Sequence, residues 1–349
     1  MVFFLISALL QILFLTLIPV EINVKMLSID TLRKDIETWI KQLQFTHAPY
    51  TLYQPIEYSL AMGGKRIRPV MCLAACTLYT DDYTIARPAA LALEMFHNFT
   101  LLHDDVMDKA DLRRNQPTVC AKWNTNTAIL SGDQMLIEAY KLITQIDSPA
   151  FSLILSTFNQ TATEVCEGQQ YDMDFEQTNE VTIEQYLEMI RLKTAVLLAA
   201  SIKIGALIGG ADEADTNTLY DFGIHLGLAF QLQDDLLDTY GDEATFGKAI
   251  GGDIMENKKT FLLISALNNA TIAQRHELAT WIAAKEPDRE EKITAVRTIY
   301  DAIGVRKQAE ESIKKHYDAA ISILREMEIS AEGKRIFADF AASLIKRTR

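Results

Sequence analysis

Two clusters of aspartates are the residues of this sequence best suited to chemistry. They are Asp104, Asp105 and Asp108 in HNFTLLHDDVMD, and Asp234, Asp235 and Asp238 in FQLQDDLLD. With about 3.6 residues per helical turn, the first and last aspartate of each cluster lie one turn apart on the same helix face. Like charges at this spacing destabilise a helix unless a cation compensates them, so both clusters predict a bound cation.

The chemistry of the clusters favours Mg²⁺. This ion prefers oxygen ligands, keeps several of its waters and is usually shared between one or two carboxylates and the phosphates of a substrate. A solvated acidic surface is the simpler explanation of one such cluster. Two clusters with the same order and spacing, each at the polar end of an apolar helix, favour metal binding instead. We therefore expect magnesium ions that bind a phosphate-bearing ligand.

Basic residues flank both clusters, although the net charge of the chain is -13. Lys65 and Arg68 follow two glycines in AMGGKRIRP, where the backbone can approach a ligand closely and an arginine can bind phosphate oxygens in pairs. Lys193 enters an apolar helix in RLKTAVLL, and a buried ammonium needs an anionic partner. The other members of the basic set are Arg66, Arg113, Arg114, Lys248, Lys258 and Lys259. A solvated charge run is the alternative for GGKR taken alone.

The composition excludes several classes of protein. With 49% hydrophobic and 23% charged residues in 349, the chain is globular rather than disordered. Its acidity argues against non-specific nucleic-acid binding, which needs a basic surface. The four cysteines are Cys72, Cys76, Cys120 and Cys166. They form no CxxC pair, so we expect neither a zinc site nor a disulfide, and we expect the protein to work in a reducing cytoplasm.

Helices must position these residues. From Met26 onward the apolar residues recur at intervals of three and four, whereas the alternating runs that mark strands are nearly absent. TAVLLAASIKIGALIGG is apolar on all sides, which predicts a buried helix. No linker rich in Ser, Pro or Gly divides residues 26–349. We predict one all-α domain over 26–349, a single bundle of about ten helices around a central cavity.

Residues 1–25 are treated separately as an apolar N-terminal extension. About twenty apolar residues are enough to span a bilayer, but no Lys or Arg precedes them and no small-residue cleavage motif follows. A membrane tether through residues 1–20, a signal peptide and an over-extended start, with initiation at Met26, all stay open. Membrane contact is therefore an open question, and a cytoplasmic location is expected for the domain.

At this point the sequence resembles the trans-isoprenyl diphosphate synthases, the polyprenyl synthetase family, over about residues 40–345. The landmarks occur in family order: GGKRIRP, HNFTLLHDDVMD, RRNQPT, KT, FQLQDDLLD and GDIMENKKT. One DDxxD motif is weak evidence, but six landmarks in order are very specific. Asn257 departs from the family, which usually has glycine before the lysine, and this leaves the shape of that loop in question.

The resemblance implies a role for each matching residue. Isopentenyl diphosphate binds to Lys65, Arg68, His97 and Arg114. Three Mg²⁺ ions hold the allylic diphosphate through aspartates of the two clusters, Asp104, Asp105, Asp108, Asp234, Asp235 and Asp238. The same diphosphate pairs with Arg113, Lys193, Lys248 and Lys258. The reacting centre is lined by Thr194, Phe230 and Gln231, which with Lys193 form the catalytic set. His103 receives no role.

The resemblance also bears on product length. In the family the growing chain extends along the helix of the first cluster, where a bulky side chain forms a floor. Phe99 lies five residues before Asp104, roughly 7.5 Å along a helix. Phe99 and Phe96 therefore predict a short product, farnesyl or geranylgeranyl diphosphate, and Thr100 favours geranylgeranyl.

Three other functions are possible from the sequence. A class I terpene cyclase shares the fold and the Mg²⁺ site, but its second metal motif is usually mixed and it needs no GGKR site. A non-catalytic partner subunit of a prenyl synthase typically loses a cluster or the basic residues, which this chain keeps. A membrane-tethered scaffold does not explain the basic set. The resemblance also implies a homodimer.

Overall fold

Helices form nearly all of the regular structure that the computed structural model describes, which covers residues 28–178, 180–241 and 250–346. The first half contains α1 (Ile29–Gln42), α2 (Tyr50–Ala61), α3 (Ile67–Cys76), α4 (Arg87–Met107), α5 (Val119–Lys122), α6 (Thr125–Ile143), α7 (Phe151–Gln177) and α8 (Ile183–Ile190). The second half contains α9 (Val196–Gly209), α10 (Glu213–Tyr240), α11 (Gly252–Glu256), α12 (Phe261–Asn269), α13 (Ile272–Ala283), α14 (Arg289–Ile303), α15 (Val305–Glu326) and α16 (Ala331–Ile345). A 3₁₀ turn, Tyr83–Ala86, precedes α4, and a π-helical turn, Arg191–Ala195, joins α8 to α9.

Local sequence explains where the helices begin and end. Ser28 caps α1 by accepting a hydrogen bond from the Thr31 amide, and Asp212 caps α10 by accepting one from the Asp215 amide. Gly210 caps the C-terminus of helix α9, and its φ of 96° lies in the left-handed region that glycine adopts without cost. Such signals surround long apolar segments, so the predicted all-α class is the one observed.

Within the described ranges, β1 (Leu112–Arg113) and β2 (Gln116–Pro117) are the only strands, and they form a two-residue antiparallel pair. Arg114 and Asn115 connect them with φ angles of 53° and 60°, the positive values that a tight hairpin turn requires. The sequence did not predict this hairpin, because two-residue strands have no periodicity to detect. It lies directly after α4 and brings Arg113 and Arg114 back towards the end of that helix.

Helix α9 lies at the centre of the bundle. Twelve of its residues are buried, as its all-round apolar sequence predicts, and it packs against α3, α7 and α10. A Cβ at Gly205 would lie 1.9 Å from the Cys72 carbonyl oxygen, so only glycine allows this approach to α3. Ile183–Gly209 is the one described helical stretch long and apolar enough to cross a membrane, but 83% of that apolar window is buried inside the protein. This burial is what a core helix shows.

Two hydrophobic clusters meet along α10. Leu219, Phe222 and Leu226 in its first half belong to one cluster, while Leu232 and Leu236 in its second half belong to the other. The chain therefore packs α10 against both halves of the bundle, with the second aspartate cluster in its last turns. The predicted extension, residues 1–25, and the predicted diphosphate ligand Lys248 lie outside the described residues.

Candidate active site

A cavity of about 800 Å³ lies between the ends of α4 and α10. Its size is that of a small-molecule site. Thirteen of the residues to which the family resemblance gives a role line it: Lys65, Arg68, His97, Phe99, Thr100, Asp104, Arg113, Arg114, Lys193, Thr194, Phe230, Gln231 and Asp234. The remaining described candidates lie outside its lining: Phe96, Asp105, Asp108, Asp235, Asp238 and Lys258.

A basic group forms one wall of the cavity. The Arg68 guanidinium lies 3.1 Å (Nη1 to Nε2) from the His97 imidazole, and burial lowers the pKa of Arg68 to about 10. Burial and the charges of Arg68 and Arg114 hold the pKa of His97 well below its ordinary value, so His97 is neutral. The buried Nε of Arg68 has no hydrogen-bond partner in the described structure. A cation with a buried, unused donor is suited to a phosphate oxygen.

Arg114 joins this wall through the glycine loop. Its guanidinium donates to the Gly63 carbonyl, and a Cβ at Gly64 would lie 2.7 Å from its Nη2. Gly64 has a φ of 134°, so its backbone conformation favours glycine, and a Cβ there would also displace the Arg114 guanidinium. Gly64 of GGKR thus allows Arg114 to lie against the loop.

Arg66 belongs to the same motif, but its guanidinium contacts other parts of the protein. Its Nε lies 2.7 Å from Glu37 Oε1, its Nη1 lies 2.6 Å from Glu94 Oε1, and it donates to the Leu60 carbonyl. It is buried and ties α1, α2 and α4 together. Two carboxylates already neutralise this guanidinium, so it differs from Arg68 in having little charge to offer a ligand.

Acidic residues line the same cavity. Asp104 and Asp234 both line the cavity. Burial raises the pKa of Asp104, with Asp108 and Asp172 adding to the effect and Lys193 opposing it. At the second cluster, burial and the carboxylates of Asp235 and Asp238 raise the pKa of Asp253 well above its usual value. Crowded, desolvated carboxylates of this kind are stabilised by a cation.

The donor set fits Mg²⁺. The described residues contain no group of three or more His, Cys, Asp or Glu that could hold a metal ion by themselves. Mg²⁺ does not require one, because it completes its coordination with waters and substrate phosphates. Asp104 and Asp234 could supply carboxylate ligands from opposite helices, with the diphosphate supplying the rest.

Asp105 and Asp238 of the two clusters have protein partners. Asp105 is buried and accepts from Nε and Nη2 of Arg113 through one oxygen, both at 2.7 Å. Asp238 accepts a hydrogen bond from the Asp253 amide at 2.9 Å, which holds the start of α11 against α10. Lys258 pairs with Glu256 at 3.0 Å, and although burial alone would lower its pKa, Asp253 and Glu256 raise it.

Asp235 lies at the centre of a buried relay of hydrogen bonds. Tyr186 donates from its hydroxyl to one carboxylate oxygen, and Gln231 Nε2 donates to the other at 3.0 Å. Thr194 in turn donates to Gln231 Oε1 at 3.0 Å. Burial raises the pKa of Asp235 to about 7, although the bonds from Tyr186 and Gln231 act in the opposite direction. The relay fixes the amide of Gln231 with its oxygen towards Thr194.

Aromatic rings close the apolar end of the cavity. Phe99 lines it, and the Phe96 ring lies behind at a centroid distance of 5.5 Å. Phe96 is 1% exposed and contacts Phe158 of α7, also at 5.5 Å. Phe96 therefore supports Phe99 from the core and does not itself face the cavity.

Comparison with known proteins identifies the family. The polyprenyl synthetase family model matches residues 49–301. The geranylgeranyl diphosphate synthase of Methanosarcina mazei is 40% identical over 66% of this chain and 72% of its own length. The geranylgeranyl pyrophosphate synthase of Geoglobus acetivorans is 36% identical over 88% of this chain and 94% of its own. A solved geranylgeranyl pyrophosphate synthase is 42% identical, with a TM-score of 0.88 over 93% of this chain and 100% of its own.

The chain belongs to the polyprenyl synthetase family. The resemblance read from the six landmarks is thereby confirmed, as is the all-α class. The loop at Asn257, where the sequence departs from the family's usual glycine, has a φ of 54°, a left-handed value that asparagine also adopts readily. Its side-chain oxygen accepts a hydrogen bond from Lys292 at 2.8 Å, which holds the loop in this shape.

Sequence reasoning missed two residues that contact predicted site residues, Asp172 and Tyr186. Lys193 Nζ lies 2.6 Å from Asp172 Oδ2, so Asp172 is the anion that this half-buried lysine was expected to need. A Cβ at Gly168, one turn earlier on α7, would lie 2.3 Å from the Lys193 amide nitrogen. The spacing of Gly168 and Asp172 in GQQYD places them one helical turn apart, and this pattern could have identified Asp172 as a partner of Lys193. Tyr186 had no such signal, because a tyrosine on an apolar helix face is ordinarily core.

Proposed function

We propose that this chain condenses isopentenyl diphosphate with an allylic diphosphate by Mg²⁺-dependent head-to-tail transfer, giving a short all-trans prenyl diphosphate and pyrophosphate. The observation that carries the proposal is one cavity with three parts. It has an acidic wall at Asp104 and Asp234, a basic wall at Arg68, His97 and Arg114, and an apolar end. A trans-prenyltransferase needs all three, one for each diphosphate and one for the hydrocarbon tail.

Bound Mg²⁺, which we propose as three ions, supplies Lewis-acid stabilisation of the departing pyrophosphate. Lys193 and Arg113 add positive charge on the same side, and each is already oriented by a carboxylate, Asp172 and Asp105 respectively. The second substrate binds through Arg68 and the neutral His97, which leaves the imidazole able to accept or donate a hydrogen bond. Lys65, Arg114, Lys248 and Lys258 complete the diphosphate ligands in this proposal.

The carbon–carbon bond forms without a protein nucleophile. Departure of pyrophosphate leaves an allylic carbocation, and the double bond of isopentenyl diphosphate attacks it. A proton is then lost to the released pyrophosphate. Thr194, Phe230 and Gln231 line the cavity where these groups meet, and the apolar wall keeps water from quenching the cation.

Phe99 limits the product to farnesyl or geranylgeranyl diphosphate in this proposal. Its ring lines the cavity with Thr100 beside it, and the Phe96 ring blocks movement into the core. The Phe99→Ala variant removes most of a large side chain and deepens the apolar end. We expect products longer by at least one isoprene unit, measured by sizing the dephosphorylated alcohols. An unchanged product distribution in an active variant would contradict a role for Phe99.

We propose a homodimer that binds no nucleic acid and works in the cytoplasm. Large apolar side chains are exposed on α6 at Ile129, Leu130 and Ile137, and on α7 at Leu153. A row of this kind is typical of a protein interface. Membrane tethering through residues 1–20 stays a separate question that the full-length chain and a chain beginning at Met26 can answer by fractionation with vesicles.

The experiment that tests the function uses the full-length chain, labelled isopentenyl diphosphate, Mg²⁺ and dimethylallyl, geranyl or farnesyl diphosphate in turn. We expect incorporation that stops in the presence of a chelator and in Asp104→Asn, with linear short-chain alcohols after dephosphorylation. A folded protein that incorporates nothing from any starter would indicate a non-catalytic partner subunit. Release of pyrophosphate without use of isopentenyl diphosphate would indicate a terpene cyclase.

A further inference from the structure

His103 is a cavity residue to which the chemistry above gives no role. It precedes the first aspartate cluster, and its imidazole lies edge-on to the Phe99 ring at a centroid distance of 4.8 Å and an angle of 66°. Its Nε2 lies 3.1 Å from the Ile129 carbonyl oxygen of α6 and 3.8 Å from Asp133 Oδ1. The ring is therefore tied to a different helix from the one that carries it.

Helix α6 also holds the imidazole by its shape. A Cβ built at Gly132 would lie 2.3 Å from Nε2 and 2.5 Å from Cδ2 of His103. Such distances are far inside van der Waals contact, so the ring occupies a niche that only glycine leaves open. The hydrogen bond to Ile129 and the niche at Gly132 together define where the ring can be.

The Phe99 ring is held between two neighbours. His103 contacts one side and Phe96 the other, and Phe96 is itself fixed against Phe158. The edge-to-face contact with His103 and the tilted contact with Phe96, at 58°, together favour one rotamer of the Phe99 side chain. Without the imidazole, the Phe99 ring gains room towards α6, and the apolar end of the cavity becomes deeper.

We propose that His103 is a positioning residue for product length: seated in the Gly132 niche of α6, it fixes the Phe99 ring and thereby sets the depth of the cavity. This inference rests on the proposed function, in which Phe99 ends the growing chain. It assigns part of the product specificity to α6, whose residues do not line the cavity.

Four variants test the inference through the ratio of products, which is independent of total turnover. His103→Ala frees Phe99, so its main product lengthens by one isoprene unit. Phe99→Ala/His103→Ala gives the same distribution as Phe99→Ala, because His103 acts only through that ring. Gly132→Ala pushes the imidazole out of its niche towards the cavity, so its products shorten, and His103→Ala cancels that effect in the double variant.

His225→Ala is the matched control, since it removes a half-buried imidazole between α10 and α15, outside the cavity lining. It should leave product length unchanged even where it lowers stability. Unaltered product length in active His103→Ala would overturn the inference and leave the proposed function intact. Lengthening by His103→Ala on top of Phe99→Ala would overturn it too, by giving His103 an independent role. Absence of incorporation by the unmutated chain would instead refute the proposed function, and the inference with it.

Discussion

Asp234 and Asp235 are adjacent in the sequence and have opposite surroundings. Successive residues of a helix point about 100° apart, so Asp234 faces the cavity while Asp235 points into the core. Both oxygens of Asp235 accept hydrogen bonds from side chains, Tyr186 and Gln231. Asp235, the second aspartate of this cluster, thus orients Gln231. Of these two aspartates, we therefore expect Asp234 and not Asp235 to bind the metal.

Replacement of Tyr186 by Phe tests the relay. The variant keeps the ring but removes the hydroxyl, and an unsatisfied buried acceptor costs about 1–3 kcal/mol of stability. The Gln231 amide then loses its fixed orientation at the reacting centre. We expect kcat to fall about tenfold, which corresponds to about 1.4 kcal/mol, with little change in KM for isopentenyl diphosphate.

Tyr79→Phe is the control for that measurement, because it removes a tyrosine–aspartate hydrogen bond of 2.9 Å to Asp215, outside the cavity lining. Steady-state kinetics and denaturant unfolding of both variants separate the two effects. If both variants lose the same stability but only Tyr186→Phe lowers kcat, the result would support a role in turnover for the hydrogen bonds through Asp235. A kcat unaffected in both variants would show that the orientation of Gln231 does not matter for turnover.

At the residue scale the sequence predicted chemistry better than orientation. Arg66 and Arg68 are indistinguishable in GGKRIRP and both line the cavity, yet Arg66 pairs with Glu37 and Glu94 whereas the buried Nε of Arg68 has no hydrogen-bond partner in the described structure. The distinction depends on the left-handed φ of 50° at Arg66, which turns its side chain into the core before α3 begins. Neither that backbone angle nor the position of Glu94 can be read from the local sequence.

At the scale of elements, the contact between α10 and α15 contains an unusual pair. His225 and His316 face each other with their Nδ1 atoms 3.1 Å apart, so at least one ring must be neutral there to accept the hydrogen bond. Burial, His225 and Lys315 lower the pKa of His316 to about 4. Burial also lowers the pKa of His225, with Asp221 opposing and Lys315 adding to the effect.

This pair predicts a loss of stability in acid. The folded pKa of His316 lies below the unfolded value of about 6.5, so the unfolded chain binds more protons between those values. The free energy of unfolding should therefore fall as the pH falls through that window and stay level above it. Between about pH 7 and about pH 5, we expect the free energy of unfolding of His316→Gln to fall by about 1 kcal/mol less than that of the unmutated chain. This figure allows for the partial exposure of His316.

Urea unfolding at the two pH values measures the difference. His276→Gln, which changes an exposed histidine of α13, is the matched control and should follow the unmutated chain. If all three proteins lose the same stability in acid, the contact between α10 and α15 does not sense protonation. The acid sensitivity would then belong to the carboxylates of the site.

The elements themselves were largely predictable. Long apolar segments such as α9 have the helical period, and caps such as Ser28 and Asp212 mark their starts. The π-helical turn at Arg191–Ala195 was not predictable, because it inserts one extra residue into a continuous helical pattern. It is this turn that carries Lys193 and Thr194 at the cavity, so the irregular element has the functional side chains.

At the scale of the whole molecule, the sequence identified the charged residues, but its pattern did not predict that they lie close together in the fold. The aspartate clusters are 130 residues apart, and their meeting depends on α4 and α10 ending at the same cavity. Both helices reach that cavity because both pack on α9, and such packing depends on tertiary contacts. Periodicity predicts that a segment is helical but not which helices it packs against, so only the family resemblance predicted that the two clusters meet.

The proposed dimer predicts an effect at this scale that is separate from the active site. Leu130 is 60% exposed on α6, between the exposed Ile129 and Ile137. Burying such side chains against a second copy removes apolar surface from water, worth about 25 cal/mol per Å². Leu130→Lys would place a charge in that interface, and an unpaired buried charge is strongly unfavourable. We therefore expect it to shift the protein from dimer to monomer at micromolar concentration.

Sedimentation velocity measures the shift, and Ile272→Lys is the control. Ile272 is 92% exposed on α13, so the same substitution there changes charge and apolar surface without touching α6. A dimer lost in Leu130→Lys and kept in Ile272→Lys would support an interface on α6. Because Ile129 of the same face accepts the hydrogen bond from His103, that result would also predict altered product lengths in the monomer. A dimer that persists in both variants would exclude α6 as the interface and separate product length from assembly.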